Sequence, residues 1–577
     1  MSAADIDAAG WRAWSFPLPR NVGRALRTAR HIPLRQLAHR ARFLALRRLY
    51  TLGPRRPLAR ARIDAARMEP VAALPRVPDD VLWPEGRDAV ARRAADFARG
   101  RFAYLNREAD FSDGIRWRDA GASPLWLYQL HYLGAVADLA ATGRIEDARH
   151  VLASWRVAHE SRWDPTSWHP YPSSLRFVNL CVAASRAGGF EALGPGATRL
   201  AAVHAAYLLR HVERDVRGNH ILENARALCW AGRCFRGGVA DRCERAARAI
   251  LEEEIPEQVF PDGGHFEMSP MYHCIVMRDL LEVRALLGDQ DPVVRRCVAP
   301  AVRSMGAFLA DVLCPDGDIP LIGDSARGFG PPPGTLLDLA GTPRREWTGL
   351  RSFSDTGLHV LRGPGGMWAI VDAGPTCPPY LPAHGQADVL TLEVWDGESC
   401  IVADPGVHDY TGPDRAWGRS SRAHSTLTVD NRDTSEVYGS FRVGGRARVV
   451  SVAATENGVS ATVRPFGIAA TLRRSVRLED GGLVVEDGAT CAAGGRVRSR
   501  LHLHPGVRSA TCDASGASVR LDTPTGQILV EASAGMGVEE GRRSGEFGHV
   551  ERTRILVQDV PGDGSAVRWR LRPCRAT

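Results

Sequence analysis

From about residue 88 to residue 312, apolar side chains recur every three or four positions, the spacing that lines one face of an α-helix. "SPLWLYQLHYLGAVADLAA", "RLAAVHAAYLLRHVE", "ILENARALCWAGRCF" and "VMRDLLEVRALL" read as successive amphipathic helices, separated by short Gly, Pro or Asp breaks. Sequential helices with short links predict antiparallel pairs in a bundle, a solenoid or a closed toroid. No fixed-period sequence repeat favours an ordinary solenoid. After the Pro/Gly-rich passage "GFGPPPGTLLDLAGTPRREW" the period becomes two: "LTLEVWDG", "STLTVDN", "RARVVSVAAT", "VSATVRP", "RLEDGGLVVEDG", "RSRLHLHPG", "RILVQ" and "VRWRLRP" alternate apolar and polar positions between Gly, Asn and Asp. So many short alternating runs predict an antiparallel β-sandwich. The expected fold is α+β and multidomain: an Arg-rich arm over residues 1–70, a helical domain over 71–340 and an antiparallel β domain over 350–577.

Composition fits two cores, since 577 residues exceed what one core organises and 44% of them are hydrophobic. Charge is more informative. The chain has no lysine, so all 74 basic residues are Arg, which excludes a Schiff-base or amine-nucleophile mechanism. A GC-rich genome is the plain explanation of that bias. Fifteen of these Arg lie between Arg12 and Arg67, where Asp64 is the single acid; with a formal net charge of +8, the remainder is slightly acidic. In "RALRTARHIPLRQLAHRARFLALRRLY" the spacing puts Leu and Ala on one helical face and Arg on the other. Such a helix docks on its own domain, lies on an anionic membrane or binds nucleic acid. Docking is the commonest use, peripheral membrane contact is the alternative, and no nucleic acid is expected, because no aromatic-interleaved binding motif accompanies the Arg. No stretch is apolar enough to span a bilayer, and "MSAADIDAAGWRAWSF" lacks the apolar core of a secretory signal. The twelve Cys are scattered without a CxxC pair, as reduced core residues would be.

Four clusters concentrate titratable groups. "GNHILEN" holds Asn219, His220 and Glu223 at a helix start, where a helix cap and a first-turn acid are the ordinary roles. "PDGGHFEMSPMYH" holds Asp262, His265, Glu267, Tyr272 and His273, ordinarily a loop-to-helix junction satisfying backbone donors. "AHGQADVLTLEV" brings His384, Gln386 and Asp388 into a strand. "ADPGVHDY" with "RSSRAHSTLTVDN" adds Asp404, His408, Tyr410, Arg419, Arg422 and His424. Each is unremarkable alone; their co-occurrence is informative.

In this order, "NHILEN", "DGGHFEMSPMYH", "HGQAD", "DPG" and "RAHSTLTVDN" resemble the heparinase II/III family of polysaccharide lyases, whose relatives include alginate lyases. The similarity runs from roughly residue 90 to beyond residue 440. The resemblance implies an N-terminal (α/α) toroid followed by an antiparallel β-sandwich, with an acidic polysaccharide held in a cleft at their junction. It places the family's catalytic Asn, Tyr and His at Asn219, Tyr272 and His384, with His220 beside Asn219 and Glu223 as an accessory group. It places the family's metal position at Gln386, Asp404 and His424. Zinc-binding members have His where this chain has Gln386, and an amide oxygen suits a harder ion. The expectation is one divalent ion at most, calcium or manganese rather than zinc, and no organic cofactor. Family members usually meet their polymer in the cell envelope or periplasm; without a visible signal, a cytoplasmic or inner-membrane-associated location is the alternative. The sequence gives no oligomeric state.

The chemistry explains the residue types. A lyase removes the weakly acidic C5 proton of a uronate and expels the C4 oxygen, so charge builds on the carboxylate, and hydrogen-bond donors aimed there are usually the largest catalytic contribution. The Asn219 amide, with His220, is such a donor. Tyr272 is the natural acid, and in some stereochemistries the base, although a free phenol titrates near about 10. His384 is the alternative base. Arg176, Arg419 and Arg422 are candidate carboxylate forks, Glu267 and Tyr410 accessory groups, and Trp168 and Tyr171 candidate sugar-stacking rings. Two other readings stand: a glycoside hydrolase using two carboxylates among Glu223, Glu267 and Asp262, and a non-catalytic glycan-binding or assembly protein on the same fold.

Overall fold

A computed structural model describes residues 22–119, 121–513 and 516–574. The first part of the Arg-rich arm, residues 1–21, lies outside the described residues. The chain divides into two compact units, one holding Ile32–Gln258 with Ile275–Arg303, the other Val259–Cys274 and Ser304–Thr577 together with the helix Val22–Ala29. Residues 259–274 and 304–340, which the sequence pattern groups with the helices, therefore pack with the sheets.

The first unit is helical. "SPLWLYQLHYLGAVADLAA" forms two helices, Pro124–His131 and Gly134–Ala141. Ser123 caps the first by accepting from the Trp126 amide at 3.4 Å, and Leu133, in a left-handed conformation, separates them. Helix Pro170–Ala187 packs on Gly134–Ala141 and on Gly218–Cys234, which in turn packs on Gly238–Gln258. The interfaces are Ala-rich, with Ala183, Ala184, Ala225, Ala227 and Ala231 fully buried, so the helix axes can approach closely around large anchors such as Trp155 and Trp230. No described helix is long and apolar enough to cross a membrane.

The described part of the arm folds as helices Val22–Ala29, Leu34–Leu52 and Arg56–Ala65. Leu34–Leu52 docks on its own unit, but not by the expected face. Its inner side is formed by Gln36, Arg40, Phe43 and Tyr50: Gln36 donates to the Asp215 carbonyl at 3.1 Å, Arg40 pairs with the Asp215 carboxylate at 2.9 Å, and Tyr50 hydrogen-bonds His211 at 2.9 Å. Leu34, Leu49 and Leu52 are left exposed. Buried polar partners in the unit decided the orientation, which the apolar count alone cannot reveal.

The second unit is built on antiparallel sheets. Strands Gly349–Phe353, Leu358–Arg362, Met367–Asp372, Leu392–Asp396 and Ser399–Val402 form a five-stranded meander in sequence order. An eight-stranded sheet runs from Arg448–Thr455 through Gly482–Cys491 and Asp563–Cys574 to Ser509–Cys512, and a four-stranded sheet contains Val497–His502 and Glu551–Val560. One continuous core joins all three, with Leu361, Val371 and Leu392 from the meander, Val476, Val485 and Trp569 from the larger sheet, and Leu501 and Leu556 from the smaller. The meander's other face is covered too, by Phe308 and Val312 against Val360, Trp368 and Ile370. Burial on both faces explains why "LHVLR" and "MWAIVD" read as near-continuous apolar runs rather than alternating ones.

Buried imidazoles are a common feature of both units. Burial pushes His169 down to about 4, His265 to about 4, His273 to about 3, His359 to about 4 and His502 to about 3. Each is neutral when folded but takes a proton near its ordinary 6.5 when unfolded, so the unfolded chain binds more protons between pH 6.5 and 4, and stability must rise with pH across that window. Acidification from pH 7 to 5 is expected to cost ~1–2 kcal/mol per buried imidazole. Urea midpoints measured at both pH values check this; equal midpoints would contradict it.

Candidate active site

In the helical unit, a polar cluster surrounds the start of helix Gly218–Cys234. Asn219 is not the helix cap. Arg217 takes that position with φ 62°, a strained conformation for a non-glycine residue, while its guanidinium donates twice, at 3.0 Å each, to the Glu254 carboxylate. Asn219 is thereby carried on the first turn and is 2% exposed. Beside it the buried Glu213 organises the site. Its carboxylate lies 2.9 Å from His220 Nδ1 and 3.6 Å from His169 Nδ1 and accepts from the Asn224 amide at 3.2 Å, while Asn224 Oδ1 accepts from the Glu213 backbone at 2.8 Å. Burial alone would raise the Glu213 carboxyl, but the two imidazoles and the Asn224 amide outweigh it and hold the group below its ordinary value. The Tyr171 ring lies 4.2 Å from the His220 ring.

Three candidates in this unit have other duties. Trp168 is fully buried, stacked on His204 at 4.6 Å and donating to the His159 carbonyl, so it cannot stack on a sugar. Arg176 is fully buried and donates to the His131 and Ser167 carbonyls, Ser173 and His204, which makes it an interior brace rather than a carboxylate fork. Glu223 is not a solvated first-turn acid: it accepts the Arg226 guanidinium at 2.8 and 3.0 Å, and Arg226 also donates to Glu282 at 2.5 Å. Arg226→Met is expected to leave Glu223 and Glu282 buried without their cation, costing about 3–5 kcal/mol, which thermal unfolding would measure.

The second polar cluster lies in the β unit and contains the segment before helix Pro270–Leu287. Two glycines fit this segment into its space: a Cβ on Gly263 (φ 88°) would sit 2.2 Å from the Ser304 carbonyl oxygen, and one on Gly323 (φ 61°) 2.9 Å from that of Met268. Asp262 shapes the loop, accepting from the amides of Gly264, Asp355 and Thr356. His273 hydrogen-bonds the Met305 carbonyl. Ser269 donates to the Asp324 carbonyl at 2.7 Å, tying the two loops together.

This frame presents Tyr272 over His384, the rings 3.9 Å apart at 28°. The Tyr272 hydroxyl lies 2.7 Å from that of Tyr410. His384 is held at both ring nitrogens, Nδ1 being 3.0 Å from Asp324 and Nε2 3.2 Å from Glu267. Burial disfavours the charged imidazole, but the two carboxylates outweigh it and raise its pKa. Burial also lifts Tyr272 and Tyr410 well above the ordinary phenol range. Asp324, fully buried, accepts from His384, from the Gln386 amide at 2.8 Å and from both terminal nitrogens of Arg415, which is itself 5.1 Å from the Tyr410 ring. Against the cost of burial, Arg415 and His384 keep the Asp324 carboxyl well below its usual range. Behind His384 lies a cavity of about 30 Å³, the volume open to the centre of a water molecule, lined by Glu267, His265, His273, Gln386 and Asp388 among others. It has room for about two waters.

Arg419, 1% exposed, spends its guanidinium on the carbonyls of Gly385, Tyr438, Gly439 and Arg442, so it braces loops and is no substrate fork; Arg422 is exposed. Of the proposed metal ligands, Asp404 and His424 are joined at 2.9 Å, and Gln386 donates its amide to Asp324. Glu213, Asp324 and Arg415 were not singled out from the sequence. Glu213 had a signal, an acid seven residues before His220.

Two family models match the chain, "Heparinase II/III N-terminus" over residues 199–328 and "Heparinase II/III-like, C-terminal" over residues 346–570, and these stretches contain the second cluster and, of the first, Glu213, Asn219, His220 and Asn224. The chain belongs to the heparinase II/III family. Within the family it is 28% identical over 259 residues to a heparin-sulfate lyase of Pedobacter heparinus, covering 40% of this chain and 38% of that protein. It is 25% identical over 274 residues to a heparin-sulfate lyase of Bacteroides stercoris, covering 42% and 40%. The matched region thus spans about two fifths of the length of these curated relatives. A crystal structure of heparinase III superposes with a TM-score of 0.71 over 85% of each chain at 18% identity, and shares the fold: a helical N-terminal part and a β-rich C-terminal part.

Proposed function

We propose that the protein is a polysaccharide lyase that cleaves a uronic-acid-containing acidic polysaccharide by β-elimination. The observation that carries this reading is the phenol of Tyr272 stacked on an imidazole whose two nitrogens both face carboxylates. Tyr272, kept protonated by burial, protonates the departing C4 oxygen. Asp324 orients His384 by accepting from Nδ1, which leaves Nε2 as the nitrogen that exchanges protons. The proton between Nε2 and Glu267 must pass to Glu267 before Nε2 can take the C5 proton. In the helical unit, Glu213 orients His220 next to Asn219, so this cluster by itself offers an imidazole and an amide as donors to a carboxylate.

Hydrolysis is less well supported. It needs two available carboxylates, yet Asp262 is committed to backbone donors, Glu223 to Arg226 and Glu267 to His384.

The donor atoms also bear on a metal. Gln386 Oε1 and His424 Nε2 are buried without a hydrogen-bond partner among the described residues, but His424 meets Asp404 through the opposite ring nitrogen, Nδ1, so Asp404 and Nε2 do not face one ion. Among the described residues no group of three His, Cys, Asp or Glu gathers for a metal ion, so these donors do not fit one.

Incubation with heparan-type, alginate, hyaluronan-type and bacterial capsular polymers, followed by ultraviolet absorbance, tests the reaction. Unsaturated product from one of them is expected. New reducing ends without absorbance would mean hydrolysis, and binding without shortening a glycan-binding role.

A further inference from the structure

Helix Leu34–Leu52 carries an outward stripe that its docking leaves uncovered. At 100° per residue, Leu34, Ala38, Ala41, Ala45, Leu49 and Leu52 fall within about 80° of one another around the axis, and all six are exposed, Leu34 by 84% and Leu52 by 86%. Arg35 and Arg42 flank the stripe on one side and Arg48 on the other, all exposed. After Gly53 and Pro54 the pattern continues on helix Arg56–Ala65. There Pro57, Leu58, Ala61 and Asp64 face inward, while Arg56, Arg60 and Ile63, with Arg67 just beyond the helix, face solvent, Ile63 by 55%. Neither helix exposes an acid; Asp64, their single carboxylate, is buried against Arg210. One of these arginines, Arg35, makes an exposed ion pair, with Glu253 at 3.4 Å.

Leucines exposed by 53–86% along one helical line are not what a solvated surface helix ordinarily shows. We propose that these two helices form a docking surface for an anionic lipid bilayer, the Leu/Ala stripe entering the headgroup region and the flanking arginines meeting lipid phosphates. Charge decides between occupants. A second copy of the same face would bring like charges together. An acidic polysaccharide or a nucleic acid would satisfy the arginines and leave Leu34, Leu49 and Leu52 in water. A bilayer surface offers both an apolar layer and negative charge at the required depth.

Co-sedimentation of the full-length protein with vesicles tests this, comparing phosphatidylcholine alone with phosphatidylcholine containing phosphatidylglycerol, at low and high salt. Binding to the anionic vesicles is expected, weakening with salt, with little binding to the neutral ones. The variant Leu34→Ser/Leu49→Ser/Leu52→Ser, which keeps every arginine, should lose at least about tenfold in vesicle affinity. So should Arg42→Glu/Arg48→Glu/Arg60→Glu, with circular dichroism confirming that both variants remain folded. If the serine variant binds anionic vesicles as well as the parent does, or if neither vesicle is bound, the lipid assignment falls; DNA binding that the glutamate variant loses and the serine variant keeps would make the surface a polyanion site.

Discussion

Replacing Tyr272 by Phe is expected to leave a folded protein whose kcat on its best polymer is reduced by about 10²–10⁴-fold, the usual contribution of a positioned proton donor. The substitution removes one oxygen. The ring keeps its place over His384 at 3.9 Å, and the loss in the fold is the contact with the Tyr410 hydroxyl at 2.7 Å, of order 1 kcal/mol. Stability should therefore barely change while turnover collapses. Tyr410→Phe is the useful comparison, because it removes the same hydrogen bond from the other side and leaves the Tyr272 phenol in place. Absorbance of the unsaturated product gives kcat for both, and circular dichroism reports folding. A Tyr272→Phe variant with more than a tenth of the parent turnover would remove Tyr272 from the proposed chemistry.

Asp324→Asn should affect both stability and rate. The carboxylate is fully buried and takes hydrogen bonds from His384, Gln386 and Arg415, so neutralising it leaves the Arg415 guanidinium buried without its counter-charge and His384 with Glu267 alone. Breaking a buried pair in this way costs about 3–5 kcal/mol. Below its lowered melting point the variant should still turn over about 10–100-fold more slowly, with KM changed much less, because Asp324 orients His384 rather than touching substrate. Thermal unfolding and initial rates at a temperature where the variant is folded separate the two effects. Unaltered kcat in the folded variant would reduce Asp324 to a structural anchor.

The two fold classes were legible because period is a local property: three- and four-residue spacing before residue 312 and alternation after residue 390 each need only a short window. Strands Leu358–Arg362 and Met367–Asp372 were not, because both faces of their sheet are covered and the alternation vanishes. Tyr272 and His384 stood out through motifs. Asp324 and Arg415 did not, since they reach His384 and each other across 60 and 91 residues, and nothing in "GDSARG" or "GPDRAWG" announces the partner. Trp168, Arg176 and Arg419 were misjudged for a single reason. An aromatic or a guanidinium near a motif looks available for substrate, and only the fold reveals that its hydrogen-bonding capacity is already taken by backbone carbonyls.

The convergence of donors from two distant segments on Asp324 constrains how this protein can be altered. Selection for heat tolerance and selection for new substrates would both act on the same carboxylate, so laboratory evolution should find it immovable and take its gains from the periphery.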